Sequence, residues 1–139
     1  MKKKISVLLM VLVMVLSATV TSYAAVGDGV MPYATSNVTF IIDRTSGTTA
    51  DVELSVEFTS TANQYSVVVY LQKYMNGSWV NDTTNEDYVF YNNGFNSNYC
   101  LFTNTYDNLV YGTSYRIMVV SRDVQGTMEY RSTTYSNPF

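Results

Sequence analysis

Apolar and polar residues alternate with a period of two over most of this chain. In residues 51–58 the apolar side chains fall on the even positions, and the polar ones, including Glu53 and Glu57, fall on the odd positions. Successive side chains of a strand point to opposite sides, so this period is typical of a strand with one buried face. Residues 65–75 and 115–122 alternate in the same way. All three segments are therefore predicted to be strands.

Shorter apolar runs separated by turn residues complete the pattern. Asn76 and Gly77 tolerate the positive φ angles of a two-residue turn and predict a hairpin. Asn92-Asn93-Gly94 predicts a further turn, and nothing after residue 25 has the 3.6-residue period of a helix. The pattern predicts an all-β domain, an antiparallel sandwich of about seven strands. The candidate strands span residues 38–42, 51–58, 65–75, 78–80, 88–91, 99–106, 115–122 and 127–136.

The amino terminus departs from this pattern. Lys2, Lys3 and Lys4 precede a nearly unbroken apolar run over residues 5–16. That run is shorter than the roughly 20 residues of a membrane span and fits the core of a secretory signal peptide. Small residues at Ser22 and Ala24 predict cleavage after Ala24, with an uncleaved amino-terminal anchor as the alternative.

Cleavage at this point divides the chain and changes its charge. The predicted segments are a cleaved signal helix (1–24), a flexible leader (25–36) and one β domain (37–139). The signal holds three of the eight basic residues and no acidic one, which leaves five basic against eleven acidic residues and a net charge of −6. An acidic surface repels phosphates and anionic lipids, so nucleic acid and the membrane are not expected partners. A secreted, extracellular protein is expected.

Two motifs resemble known domains. Leu109 lies six residues before Tyr115, with Gly112 and Thr113 between them, as in the penultimate strand of fibronectin type III and related immunoglobulin-like domains. This resemblance implies a tyrosine corner, in which the Tyr115 hydroxyl bonds to backbone near Leu109. Leu71-Gln72-Lys73 with the nearby Asn76-Gly77-Ser78-Trp79, together with Gly112 to Arg116, resembles small secreted proteins of Gram-positive (Firmicutes-type) bacteria. These have one Ig-like domain and no established activity.

The residues available for catalysis are few. The chain contains no histidine, the commonest general base and metal ligand. Lys73 is the only lysine after residue 24, and it flanks the predicted hairpin, where we expect it to be solvated. Glu53 and Glu57 lie about 13 Å apart along one strand, too far for a glycosidase pair, and are expected to face solvent. We therefore expect no enzyme and no cofactor.

Two further candidate sites, an acidic loop and a cysteine, can also be explained by an ordinary structural role. Asp82, Glu86 and Asp87 form a candidate calcium loop, because calcium prefers oxygen ligands, but their spacing matches no known loop and an ordinary acidic loop is the alternative. Cys100 is the only cysteine, so no intrachain disulfide can form. Its place beside Phe102 favours a buried thiol over a link between two chains.

Tyrosine is the one residue type in excess, with twelve left after the predicted cleavage. Exposed rings on a sheet can stack on sugar rings or bind a protein partner, although tyrosines also line cross-strand pairs for stability alone. The sequence predicts a monomeric, non-catalytic binding module for an extracellular glycan or protein. A structural, envelope or biofilm component that assembles through sheet edges is the alternative. The candidate ligand-binding residues are Tyr70, Tyr74, Trp79, Tyr88 and Tyr91.

Overall fold

Two long, bent strands organise the fold. A computed structural model describes residues 36–139, in which there are six strands and no helix. All paired strands are antiparallel, as the alternation predicts. The strands are β1 (Ser36–Asp43), β2 (Ala50–Met75), β3 (Ser78–Asn81), β4 (Val89–Tyr106), β5 (Tyr115–Gln125) and β6 (Met128–Tyr135).

β2 is long enough to pair with four other strands. Its first half lies between β1 and the second half of β4. Its second half lies between the first half of β4 and β5, and its last four residues pair with β3. β6 adds to the far side of β5. The result is one antiparallel sheet that contains two regions, joined through β2 and β4.

The sheet curls because β2 and β4 bend at the same place. β2 advances from Glu57 to Ala62 while β4 moves only from Tyr99 to Ser97, so β2 bulges there. Phe58 and Tyr65 lie on either side of this bulge, with ring centroids 5.3 Å apart. A straight strand would separate them by about 23 Å. The two halves of β2 therefore face each other.

β4 folds over in the same sense. Asn92 donates a side-chain hydrogen bond to the sulfur of Cys100 at 3.2 Å, and the rings of Phe90 and Phe102 lie 4.8 Å apart. Each of these pairs joins the first half of the strand to the second. The predicted burial of Cys100 is confirmed, because its side chain is enclosed in the fold. Burial also raises the pKa of this thiol, and the hydrogen bond from Asn92 opposes that effect only in part.

The concave side of the curl holds the core. Alternate side chains of β2 and β5 point inward, and all of the apolar positions predicted to share those faces are buried. Burial of this apolar surface supplies the main stabilising force of the fold, since no disulfide contributes. The inward-facing residues of these two strands include Val52, Leu54, Val56, Val67, Val69, Leu71, Tyr115, Ile117 and Val119.

The predicted strand boundaries were wrong in two places. Residues 51–58 and 65–75 form a single strand, and so do residues 88–91 and 99–106 apart from Tyr88. The turn predicted at Asn92-Asn93-Gly94 is absent, because these residues lie inside β4. Gly94 pairs with Tyr65, whose ring occupies the space that a side chain at position 94 would need. This glycine therefore permits close packing and does not form a turn.

The predicted hairpin and tyrosine corner are confirmed. Asn76 and Gly77 have φ angles of 53° and 83° and connect β2 to β3. The backbone N–H of Val110 donates to the Tyr115 hydroxyl oxygen at 2.9 Å, and Leu109 beside it is buried. Tyr115 thereby fixes the connection that leads into β5.

Arg44, to which the sequence assigned no role, ties together three segments near this corner. Its guanidinium donates to the carbonyl oxygens of Gly47, Thr113 and Phe139 at 2.8, 3.0 and 3.2 Å. It also lies over the ring of Tyr115, 5.7 Å from the centroid. One side chain therefore satisfies carbonyl groups from the loop after β1, the turn before β5 and the segment after β6.

The amino-terminal predictions lie outside the described residues. These are the signal helix (1–24), the cleavage site after Ala24 and most of the flexible leader (25–36). Ser36, the last residue of that predicted leader, is the first residue of β1. No helix long and apolar enough to cross a membrane occurs among residues 36–139.

The tyrosine corner generates a stability prediction. Tyr115→Phe removes the acceptor of the Val110 N–H and should lower the free energy of unfolding by about 1 kcal/mol. Urea denaturation followed by circular dichroism measures the change. Tyr111→Phe is the matched control, because Tyr111 lies in the same turn with its side chain in solvent, and it should leave the midpoint unchanged. Equal midpoints for wild type and Tyr115→Phe would contradict the assigned role.

Candidate functional site

Planar side chains from four strands meet on the convex face of the sheet. The hairpin turn places Trp79 of β3 opposite Tyr74 of β2. β5 brings Arg116 opposite Gln72, and β6 brings Tyr135 opposite Met118. Arg116 points outward, because Tyr115 and Ile117 on either side of it are buried in the core, and the strand pairing places the other three residues on the same face. We call Tyr74, Trp79, Arg116 and Tyr135 the aromatic–arginine platform.

Arg116 lies between two rings of this platform. Its guanidinium carbon is 4.5 Å from the centroid of Trp79 and 4.1 Å from that of Tyr135. Tyr74 continues the row, since its ring centroid lies 5.2 Å from that of Trp79. Contacts between a guanidinium and aromatic faces are attractive and are worth about 0.5–1 kcal/mol each at exposed sites. The row therefore has a defined geometry although it lies at the surface.

Two amides hold Arg116 in this position. The Arg116 Nε donates to Gln72 Oε1 at 2.9 Å, and Gln72 Nε2 in turn donates to Asn81 Oδ1 at 3.0 Å. This chain of hydrogen bonds crosses from β5 through β2 to the end of β3. The terminal nitrogens of Arg116 have no protein acceptor among residues 36–139, so they are available to a ligand.

The platform carries an uncompensated positive charge. The ion pairs within residues 36–139 involve Lys73, Arg122 and Arg131, and none involves Arg116. Most acidic side chains of the convex face lie on the half formed by β1 and the start of β2, where Glu53 and Glu57 are exposed as predicted. Glu129 of β6 lies on the same half as the platform, but it is paired with Arg122 and Arg131. The two halves of the convex face therefore differ in charge, and a negative or hydrogen-bond-accepting ligand is favoured at the platform.

Four of the five predicted ligand-binding residues lie on this convex face. Tyr74 and Trp79 are in the platform, and Tyr70 and Tyr91 lie next to each other on β2 and β4. Burial, followed by the neighbouring Tyr91, raises the pKa of Tyr70. Tyr88 is the exception, because it packs against the core cluster from the loop before β4. Its backbone oxygen accepts from the Leu71 N–H, and this pairing turns its side chain inward.

The sequence analysis missed Arg116, Gln72 and Tyr135 as site residues. The alternation in residues 115–122 does place Arg116 on the outward face. What a single sequence lacks is the register between β2, β5 and β6, which decides that these side chains meet those of the hairpin. Arginine in a strand, two residues before an outward methionine, carries no signal of its own.

Beside the platform, Lys73 and Asp82 form a partly buried ion pair. Lys73 Nζ lies 2.8 Å from Asp82 Oδ1, and the two side chains are only 15% and 1% exposed. The expectation that Lys73 is solvated was therefore wrong. The pair joins β2 to the residue after β3, and Lys73 and Asp82 directly follow Gln72 and Asn81 in sequence. It fixes the backbone from which the platform amides project.

The same pair engages Asp82, one of the three residues of the candidate calcium loop. Asp82 is buried and also accepts from Thr84, whereas Glu86 and Asp87 are exposed. No group of three acidic or cysteine side chains close enough to hold a metal ion occurs in the part of the chain that the structure describes. Burial alone would raise the pKa of Asp82, but the hydrogen bonds from Lys73 and Thr84 and the charge of Lys73 outweigh it and hold the pKa below its usual value.

Comparison of the chain with protein-family models, with curated proteins and with solved structures finds no match. Function therefore has to be inferred from the geometry of the site. A row of three rings and a cation can bind by stacking and by donating hydrogen bonds.

The Lys73–Asp82 pair generates a second prediction. Lys73→Met leaves the Asp82 carboxylate buried without its cation and should lower the free energy of unfolding at pH 7 by about 2–3 kcal/mol, somewhat less than a deeply buried pair. The Lys73→Met/Asp82→Asn double variant should recover part of this loss. Urea denaturation of these two variants, of Asp82→Asn and of the wild type gives the coupling energy.

The same variants test the pKa of Asp82. Its folded-state pKa lies below the unfolded value, so the stability it contributes is present above that value and is lost as the pH falls through the folded pKa. Without Lys73 the carboxyl protonates at higher pH. The difference in free energy of unfolding between wild type and Lys73→Met should therefore become smaller as the pH falls below about 4. If this difference in free energy of unfolding stays constant from neutral to acidic pH, the Lys73–Asp82 ion pair does not have the assigned role.

Proposed function

We propose that this protein is a secreted, non-catalytic binding module with an Ig-like β-sandwich fold, and that its aromatic–arginine platform recognises a carbohydrate. The observation that carries the proposal is the row of Tyr74, Trp79, Arg116 and Tyr135, assembled on the sheet with Trp79 and Arg116 half-buried between two exposed tyrosines. Tyr74 and Tyr135 each keep nearly half of their surface exposed.

Three features of the fold support the sandwich. The order β1–β2–β4 in one half and β4–β2–β5–β6 in the other corresponds to two sheets that share bent strands. The ring contacts across the bends in β2 and β4 bring the inner faces of the two halves together. The tyrosine corner at Tyr115 is a feature of Ig-like domains.

The proposed secretion rests on the first 24 residues, where three lysines precede an apolar run of signal-peptide length. The resemblance of the hairpin and of the Gly112–Arg116 segment to Gram-positive secreted proteins supports the same location and that origin. An extracellular module meets polysaccharides of cell surfaces and matrices. This gives a carbohydrate ligand a setting that matches the chemistry of the platform.

A sugar ring has an apolar C–H face and a rim of hydroxyl groups. The C–H face packs on an aromatic ring, while the hydroxyls need fixed hydrogen-bonding partners at the edge of that ring. The platform offers both, because Trp79 and Tyr135 supply the rings and the terminal nitrogens of Arg116 supply donors between them. A carboxylated sugar would add a charge-assisted hydrogen bond to Arg116.

Several observations support a non-catalytic role. The sequence has no histidine. Lys73 and Asp82 are engaged with each other, and the Cys100 thiol is buried with its pKa raised by that burial. A cysteine nucleophile needs the opposite environment, one that exposes and stabilises the thiolate.

Retention on polysaccharides tests the proposal. The protein, expressed from its full-length sequence, is run through affinity gels that contain neutral or uronic-acid polysaccharides or purified Gram-positive cell-wall glycans. Trp79→Ala and Tyr135→Ala should each weaken the binding of a retained glycan by about tenfold or more, because central aromatic residues dominate such surfaces. Arg116→Gln should weaken the binding of a carboxylated glycan more than that of a neutral one.

Tyr111→Ala is the matched control. Tyr111 is the most exposed tyrosine of residues 36–139, with 82% of its surface in solvent, and its ring lies against Gly47 in the loop after β1. It should leave retention unchanged. No retention of the wild-type protein on any glycan, or an equal loss with Tyr111→Ala, would contradict the proposal. A protein ligand would give that first result.

A further inference from the structure

β4 is an open edge along its whole length. It pairs with β2 and with no other strand among residues 36–139, so one side of an 18-residue strand has free backbone groups. Open edges invite pairing with another chain, and proteins usually protect them with charged residues or proline. β4 contains neither: its sequence is Val-Phe-Tyr-Asn-Asn-Gly-Phe-Asn-Ser-Asn-Tyr-Cys-Leu-Phe-Thr-Asn-Thr-Tyr.

The other edges of the sheet are protected. β1 ends in Asp43, and β6 carries Glu129 and Arg131. β3 is also an edge, but it has only four residues. Among the three longer edge strands, β4 is therefore the one without a charged residue.

The two halves of β4 have different neighbours. On the convex face, the second half lies beside Asp51, Glu53 and Glu57 of β2. The first half lies beside Gln64, Ser66, Val68 and Tyr70, none of which is charged. Tyr91 and Phe95 in this first half expose 64% and 71% of their surface. If the second half of β4 paired with the same half of another copy, the acidic groups of β2 beside it would approach those of the other copy. Pairing of the first half would bring no like charges together.

We propose that residues 89–95 of β4 pair with the same residues of a second copy of this chain, antiparallel and about a two-fold axis at Asn92. This is the one register that uses all seven residues. It places Tyr91 opposite Asn93 of the other copy and Val89 opposite its Phe95 on the convex face. On the inner face, Phe90 lies opposite Gly94. The two sheets thereby become one.

A second copy is the occupant that these observations favour. In this register β4 pairs with its own copy without any charged side chain at the contact, whereas β6 would bring Glu129 and Arg131 of both copies into it. A two-fold antiparallel contact is also closed, so it yields a dimer and leaves no free copy of the same edge. The proposed dimer differs from the monomer that the sequence predicts, and it does not depend on carbohydrate binding.

Mass measurements across a concentration series test the dimer. Because the contact is small, sedimentation and light scattering should cover about 1–500 µM, and the weight-average mass should rise from one chain to two. Phe95→Lys should raise the dimer dissociation constant by about tenfold or more, since the charge enters the contact twice. Ile41→Lys is the matched control, because Ile41 is an apolar, 61% exposed residue on the edge strand β1. It should leave the dissociation constant unchanged.

Two further variants test the register. Tyr91→Lys should weaken the dimer as Phe95→Lys does, and the Tyr91→Lys/Asn93→Glu double variant should restore it, because the two new charges face each other across the axis. Thermal melting shows that each variant is folded. Trp79→Ala should dimerise like the wild type, which separates this surface from the platform.

Hydrogen exchange supplies a readout that needs no variant. Backbone amides of residues 89–95 should become protected as the concentration rises. A single-chain mass at the highest concentration would overturn the proposal, as would equal weakening by Ile41→Lys and Phe95→Lys. Failure of the double variant to restore the dimer would overturn the register. Only the β4 amides that point away from β2 report on the edge, because the others already bond to β2. Protection of these edge amides that does not depend on concentration would mean that another segment of the same chain covers the edge, which also overturns the proposal.

Discussion

The rest of the structure depends on one constraint: β2 and β4 must bend together. The two strands are hydrogen-bonded on both sides of the bend, so neither can fold over alone without breaking the ladder between them. The bulge between Glu57 and Ala62 lets β2 take the longer path around β4. Phe58, Tyr65 and Gly94 then pack at the turn of the curl. Because the bend is shared, a single pair of strands closes the core.

The position of the platform depends on how far β4 pairs along β2. β4 pairs with β2 as far as Tyr70, and beyond that point β3 takes its place beside Gln72. The short hairpin brings Trp79 close to the middle of the sheet, within reach of Arg116, and the Lys73–Asp82 pair fixes its base. The unpaired acidic side chains of β2, Glu53 and Glu57 among them, lie in the other half, beyond the bend. The curl thus separates the acidic part of the convex face from its aromatic part.

The sequence predicted what depends on alternation and short-range chemistry. The faces of residues 51–58, 65–75 and 115–122, the Asn76–Gly77 hairpin and the Tyr115 corner are all determined by neighbours in the chain. The continuity of β2 and β4 was missed because Gly94 resembles a turn residue, and its real constraint is a ring 29 positions away. Arg116 and Tyr135 were missed for the same reason, since their partners are set by register. Lys73 was misplaced because its counterion lies beyond the hairpin.

Because β2 pairs with four other strands, its place in the chain also sets the order in which these pairings can form. β2 is synthesised before β3, β4 and β5, and the contacts of its second half with β5 join residues about 50 positions apart. Until residue 125 has been made, the second half of β2 has β4 on one side but no partner on the other, and the core lacks the side chains of β5. Pairing between distant segments is slow, because loop closure comes before the gain from burial. The complete core therefore cannot form until β5 has been synthesised, although the pairings among β1 to β4 are available earlier.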